Sequence, residues 1–600
     1  MRPAPRQPGC RDALEQEWVM AMTGGERVAR MLAAEGVDVV FGIVDGSYFG
    51  LTEGLRRVGI RLISPRHETS GAHMAGAYAR LTGKLGVCLA SNGPGAANVL
   101  PGVAVENGEG NRVLALTSWR RSPIVGPDRG GTYQYFDQVG VMRPMTKWSG
   151  AARSFDRIDE ALHRAFRVAH EGRPGVVHLT IPEDVLNGSF HSPGPVSPPE
   201  RYRRTDPLVA APSSVRRAAE LLSAAKLPLL QVGSGVVHAG AGARVEELAR
   251  LLRAPITTSF GGRPAIDERL PNKIPMLPPL IDEVRCEADV VLALGTRFGE
   301  TDWWGKPPYW GDPAVQSVIQ VDTDEEILGL NRPIDLGILA DVGGFLDALL
   351  AELKQHDPGD VSERQARVDD WAGRARDLRT FLRGAAADMD AEPLHTAFVP
   401  LVCREFFDDD AVLVIDGGNT AVWTNLYHEH RTEGCLLSTF KFGMLGAGPG
   451  QAIGAKVACP ERPVYAILGD GAMGMHMQEV ETAVRNDLPV IFLVICDRQW
   501  GMVKFSQSMG LDPEKMTQAR SLPEGANLNT DFSEIRFDEL ARSMGAHGER
   551  VSRARDLRPA LERCVASGRA AVVHVDVDPV AHLWAPGLDV FKQMHLEPGT

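Results

Sequence analysis

Val464-Tyr465-Ala466-Ile467-Leu468-Gly469-Asp470-Gly471, answered downstream by Val494-Ile495-Cys496-Asp497, is the stretch around which the chain is organised. Residues 464–468 are a short apolar run with β-branched and aromatic members, which reads as a buried strand. Its glycines let the backbone approach a ligand. Met475, Val480 and Val484 recur at near-helical spacing, and a second apolar strand, 490–495, then delivers Asp497. Such a β-turn-helix-β unit sets both aspartates at the carboxyl edge of a parallel sheet, where these sheets bind ligands. Two hard oxygen donors there suit Mg²⁺, which takes few protein carboxylates plus phosphate oxygens. Taken alone, Gly-Asp-Gly is an ordinary turn; the strand context and Asp497 give it weight.

The chain has 600 residues, more than one core supports, so several domains are expected. Hydrophobic residues make up 44% and charged residues 24%, the balance of a globular protein. The net charge of −13 and the lack of a basic run argue against nucleic acid or an anionic membrane as partner. Eight scattered cysteines without a Cys-x-x-Cys pair read as reduced thiols. No apolar run is long enough to span a bilayer, and no signal-peptide core is evident, so a cytoplasmic location is expected.

With these residues in view, the chain resembles the thiamine-diphosphate (ThDP) enzymes of the acetolactate synthase and pyruvate decarboxylase superfamily. Their signature runs from Gly-Asp-Gly through a helix to a strand ending Asn-Asn, where this chain has Cys496-Asp497. The resemblance implies an α/β protein of three doubly wound parallel-sheet domains. The segments expected are a tail (1–22), a pyrimidine-binding domain (23–192), a linker (193–212), a central Rossmann-like domain (213–352), a helical linker (353–393), a diphosphate/Mg²⁺-binding domain (394–580) and a tail or lid (581–600). It also implies Mg²⁺ held by Asp470, Asp497 and the Gln499 carbonyl. Gly471, Ala472, Met473, Trp500 and Met502 would face the cofactor.

In the N-terminal part, strands and helices alternate up to about residue 180. Glu68, by default a surface residue or cap, falls where the family carries the glutamate that shares a proton with N1′ of the aminopyrimidine. Ala77-Tyr78-Ala79-Arg80-Leu81-Thr82-Gly83-Lys84 follows in the family pattern. That role needs a carboxyl group in a dry site. The family sets this domain against the diphosphate domain of another subunit, which implies a homodimer or homotetramer. Gln134, within residues 131–140, matches a substrate-pocket glutamine; a plain polar loop residue is an equal reading.

The central part carries Gly233-Ser234-Gly235 after a strand but lacks the third glycine of a dinucleotide fingerprint. Gly295-Thr296-Arg297-Phe298 matches the family's Gly-x-Arg-Phe, yet residues 260–279 hold no Gly-Met-His-Gly, and FAD is expected to be absent. In the third part, Asp416-Gly417-Gly418-Asn419-Thr420 resembles the glycine turn that meets the diphosphate with main-chain N–H groups. Gly443 would offer its carbonyl to the 4′-amino group, and Leu445 would be the wedge under the bent cofactor. Ser506 stands where synthases place a tryptophan that sets 2-oxo acid preference.

The lead expectation is an acetolactate synthase-like carboligase or decarboxylase of a 2-oxo acid. A 2-hydroxyacyl-CoA lyase or oxalyl-CoA-type decarboxylase is the enzymatic alternative. A non-catalytic ThDP-fold subunit is the other, and Glu68 argues against it.

Overall fold

The computed structural model describes residues 21–125, 129–355, 361–385, 391–439, 441–511, 513–514, 516 and 527–588. The N-terminal tail up to residue 20 and the C-terminal tail from 589, with Phe591 and His595, lie outside the described residues. The chain divides into two compact units, at Thr205/Asp206.

The first unit is a six-stranded parallel sheet. Its strands are β1 (Val39–Gly42), β2 (Arg61–Ile63), β3 (Gly86–Ala90), β4 (Val113–Trp119), β5 (Trp148–Ala151) and β6 (Val176–Pro182), in the order β2-β1-β3-β4-β6-β5. Helices on its faces include α1 (Glu68–Thr82) and α2 (Pro94–Glu109). β4 and β6 are buried along their whole length, which is why they read as unbroken apolar runs rather than alternating ones. Glu68 opens α1 itself. His67 caps α1 by accepting from the Thr69 amide at 3.2 Å.

The second unit holds two sheets. β7 (Pro228–Val232), β8 (Ile256–Thr258), β9 (Val290–Leu294), β10 (Ser317–Asp322) and β11 (Leu336–Leu339) pair in the order β8-β7-β9-β10-β11, all parallel. The short helix α3 (Leu280–Glu287) precedes β9. The long helix α4 (Ser362–Ala385) was expected as a polar linker, but it packs onto this domain. Trp371 is fully buried and donates to Glu283 Oε1 at 2.9 Å, and the Arg364 guanidinium donates to the carbonyls of Ser223, Lys226 and Leu252.

The last sheet comprises β12 (Val412–Asp416), β13 (Leu436–Ser438), β14 (Val464–Gly469), β15 (Val490–Cys496), β16 (His547–Val551) and β17 (Ala571–Asp576). Its order, β13-β12-β14-β15-β17-β16, repeats that of the first sheet. The expected three parallel-sheet α/β domains are therefore present. Helices α5 (Asn419–Tyr427), α6 (Asp470–His476), α7 (Gly501–Leu511) and α8 (Pro579–Leu583) gather at its carboxyl edge. The single helix expected over 475–485 is two pieces, α6 and a separate Glu479–Arg485, broken at Met477 and Gln478. Among the described residues no helix is long and apolar enough to cross a membrane, and the seven described cysteines are unpaired.

Candidate active site

β12 and β14 are hydrogen-bonded neighbours, but the chain leaves β12 for β13 on one side and returns to β14 on the other. The crevice between them is a topological switch point, where open α/β sheets bind ligands. Gly417, at φ 115°, turns the chain there in a conformation L side chains avoid. A Cβ on it would lie 3.2 Å from the Gly469 amide nitrogen, so the two strand-end turns nearly touch. Gly418 precedes the nine-residue α5 without any side-chain cap for the amides at its start. Thr420 Oγ1 lies beside Gly469. Asp416 Oδ2 accepts from the amides of Gly446 at 3.0 Å and Gly448 at 2.7 Å, fastening the loop that carries Gly443 and Leu445 to the same edge.

Asp470 and Asp497 are both buried. Asp470 takes the amides of Gly471 and Arg498, each at 2.7 Å. The Gln499 side chain donates to Asp497 Oδ2 at 3.0 Å and to the Pro579 carbonyl at 2.8 Å, tying this loop to α8. Burial pushes both carboxyls well above the ordinary carboxylate range, and for Asp470 the charge of Asp497 adds to the shift. Asn419 adds a second unmet demand: its side-chain nitrogen and oxygen are both buried without a hydrogen-bond partner. A Cβ on Gly501 would lie 2.9 Å from Asn419 Nδ2 and 3.1 Å from Asp497 Oδ2, so the two side chains flank one point.

This donor set fits a magnesium diphosphate. The buried carboxylates await a cation, and an uncapped helix start beside a glycine turn offers N–H groups to an anion. Trp500 lies over Gly471, where a Cβ would come within 2.6 Å of the indole. Gly471, Ala472 and Met473 form the first turn of α6, with the Met473 side chain fully buried. Cys496, at the family's first asparagine, is instead engaged with the Val494 carbonyl and His574. A second group with ligand-like spacing, Glu534, His574 and Asp576, is already spanned by the Arg550 guanidinium.

In the first unit, Glu68 is buried and accepts from Asn98 Nδ2 at 3.1 Å. A Cβ on Gly95 would come 3.3 Å from Glu68 Oε1, while Gln134, held at φ 54°, crowds Gly93 and faces Asn92. Glu68 and Gln134 therefore meet the same turn, residues 91–95. Asn98, which holds Glu68, carries no signal of this role in the sequence.

Gly418, Gly443, Leu445 and Met502 line one cavity of about 530 Å³. The central domain and α4 add further walls, including Asp282, Trp303, Arg379 and Arg383, none of which was singled out from the sequence. Arginine on an apparent linker gave no signal of a pocket. Ser506 does not line this cavity; it is exposed on α7 and donates to the Met502 carbonyl at 2.9 Å.

Three family models match the chain: the thiamine pyrophosphate enzyme N-terminal TPP binding domain over residues 22–141, the central domain over 215–349 and the C-terminal TPP binding domain over 416–575. An acetolactate synthase of Mycobacterium bovis is 32% identical over 562 residues, covering 92% of this chain and 87% of the relative. The acetolactate synthase isozyme 3 large subunit of Escherichia coli is 28% identical, covering 94% and 96%. A sulfoacetaldehyde acetyltransferase of Alcaligenes xylosoxydans xylosoxydans is 29% identical, covering 93% and 94%. Paired strand-end aspartates, an uncapped helix at a switch point and family matches to all three domains make this chain a member of the thiamine pyrophosphate enzymes, a ThDP-dependent carboligase/decarboxylase of their acetolactate synthase-like group.

Proposed function

We propose that the enzyme cleaves or forms the bond next to the carbonyl of a 2-oxo acid, with Mg²⁺ and ThDP, in the manner of an acetolactate synthase. Bound ThDP supplies a nucleophilic carbon for attack on that carbonyl. Asp470, Asp497 and the Gln499 carbonyl hold the metal. The α5 amides and Asn419 orient the diphosphate. Gly443 accepts from the aminopyrimidine, and Leu445 and Met502 shield the site from water. Glu68 of a second copy holds the proton shared with the pyrimidine ring, and Gln134 orients substrate, so the active form is a homodimer or homotetramer. The observation that carries this reading is the buried, mutually repelling Asp470–Asp497 pair.

Flavin is not part of this proposal. The Gly235 amide donates to the Gly295 carbonyl at 3.1 Å, and a Cβ on Gly233 would collide with the Gly295 carbonyl. Close packing therefore accounts for the Gly233-Ser234-Gly235 turn. A cytoplasmic location is proposed from the reduced-thiol composition.

The test is to titrate ThDP into metal-stripped protein with and without Mg²⁺, then follow pyruvate turnover with mass spectrometry of products. Metal-independent binding, or no product from any 2-oxo acid, would overturn the reading. Action on a sulfonated aldehyde, with acetyl transfer, is a second reading, favoured by the sulfoacetaldehyde acetyltransferases among the relatives.

A further inference from the structure

Four arginines line the 530 Å³ cavity, and they are not alike. Arg263 is bound by both oxygens of Glu268, at 2.8 and 2.7 Å, and Arg285 donates to Asp302 at 2.9 Å. Arg379 and Arg383, one turn apart on α4, share a single carboxylate oxygen, Glu429 Oε2, at 3.9 and 4.0 Å. The other oxygen of Glu429 is taken by Arg431 at 3.2 Å. Neither Arg379 nor Arg383 makes a hydrogen bond among the described residues, so positive charge is in excess at this wall. Guanidinium groups in this state are suited to bind carboxylate, sulfonate or phosphate.

The rest of the cavity suits the body of such an acid. Leu277, Ile281, Leu382 and Leu426 are apolar, and Trp303 closes the wall, stacked on Tyr309 at 3.5 Å. Trp303 and Trp304 both sit in the left-handed region, at φ 53° and 54°, a backbone cost that binding sites commonly carry. Asp282 Oδ1 is buried without a partner on the same lining. Such an atom can accept from a ligand hydroxyl or from water.

We propose that Arg379 and Arg383 hold a remote anionic group of the second substrate, an aldehyde or 2-oxo acid bearing carboxylate, sulfonate or phosphate away from its carbonyl. The carbonyl end then points toward Gly418, Leu445 and Met502. This rests on the carboligase reading above, and it names the substrate class.

The test pairs turnover with binding. With pyruvate as donor, KM is measured for succinic semialdehyde, sulfoacetaldehyde and neutral propanal. Calorimetry with propanesulfonate reports the anion site without any turnover. In R379Q/R383Q, KM for both charged aldehydes and Kd for propanesulfonate should rise about ten- to a hundredfold, with propanal unaffected and R379K/R383K partly restored. E429Q removes the competing carboxylate and should tighten propanesulfonate. Unchanged Kd in R379Q/R383Q, or equal losses for charged and neutral aldehydes, would overturn the proposal. Propanesulfonate bound as expected by a protein that turns over no 2-oxo acid would retire the carboligase reading and leave the anion site standing.

Discussion

The Arg498 amide donates to Asp470 Oδ2 at 2.7 Å, so the loop carrying Asp497 is fastened to the aspartate that follows the neighbouring strand. The two carboxylates are held together by backbone and cannot drift apart to relieve their repulsion. Asp470→Ala should therefore abolish Mg²⁺-dependent ThDP binding while leaving the metal-free protein folded. Asp497→Asn keeps an oxygen donor and should remain active. ThDP titration by fluorescence, with and without Mg²⁺, checks both; unchanged affinity in Asp470→Ala would remove the metal assignment.

The same pair predicts a pH dependence. Burial raises both native pKa values well above the value of about 3.9 for an unfolded aspartate, and the Asp497 charge raises Asp470 further. Between those values the native state binds more protons than the unfolded state, so metal-free stability falls as pH rises through that window and levels off above it. Thermal melts from pH 4.5 to 8 should show this decline. It should be reduced in Asp497→Asn and cancelled by Mg²⁺ with ThDP. A melting temperature that rises over this range without metal would contradict the burial argument.

Glu68→Gln should retain ThDP but lose activity by a factor of about 10²–10⁴. Glutamine keeps the hydrogen bond from Asn98 geometrically possible, yet it cannot share a proton. Hydrogen–deuterium exchange at C2 of the bound cofactor separates this from a folding defect. Wild-type exchange in the variant would free Glu68 from the role.

What the sequence revealed and what it hid follow from the reach of each signal. Strands such as Val490–Cys496, buried on both faces, announce themselves as apolar runs, and the aspartates that follow them are placed by local turn chemistry alone. Glu68 was placed by the family resemblance rather than by its strand, since a glutamate at a strand end reads by default as a surface residue or cap. Arg379, Arg383 and Asp282 were placed by neither. They come from three turns of two distant helices and face the cavity only through packing of α3 and α4, which has no local periodic trace. The break between α6 and Glu479–Arg485 was hidden too, because apolar spacing continues across Met477.

Ser506 lies exposed on α7, one turn beyond Met502. Without a large indole there, no apolar contact favours 2-oxobutyrate over pyruvate as acceptor. Competition at equal concentrations should show weak or no preference for 2-oxobutyrate. Ser506→Trp, at an exposed position outside the cavity lining, should shift selectivity by less than the about 1–3 kcal/mol of one apolar pocket contact. A strong 2-oxobutyrate preference in the unmodified enzyme would restore the ordinary branched-chain synthase pattern.

Asn419 separates a binding role from a structural one. Its side-chain nitrogen and oxygen are buried and unpartnered, and each such group costs about 1–3 kcal/mol when left unmet. Asn419→Ala removes both polar atoms at the expense of a small cavity, so metal-free stability should change little or rise. The cofactor-loaded state loses the contacts for which that side chain is placed, and ThDP affinity should fall about tenfold or more, the scale of one or two hydrogen bonds. Melting curves with and without Mg²⁺ and ThDP read both effects in one experiment. The expected result is a smaller cofactor-induced rise in melting temperature on an unchanged or higher baseline. A lower baseline with an undiminished rise would make Asn419 a structural residue.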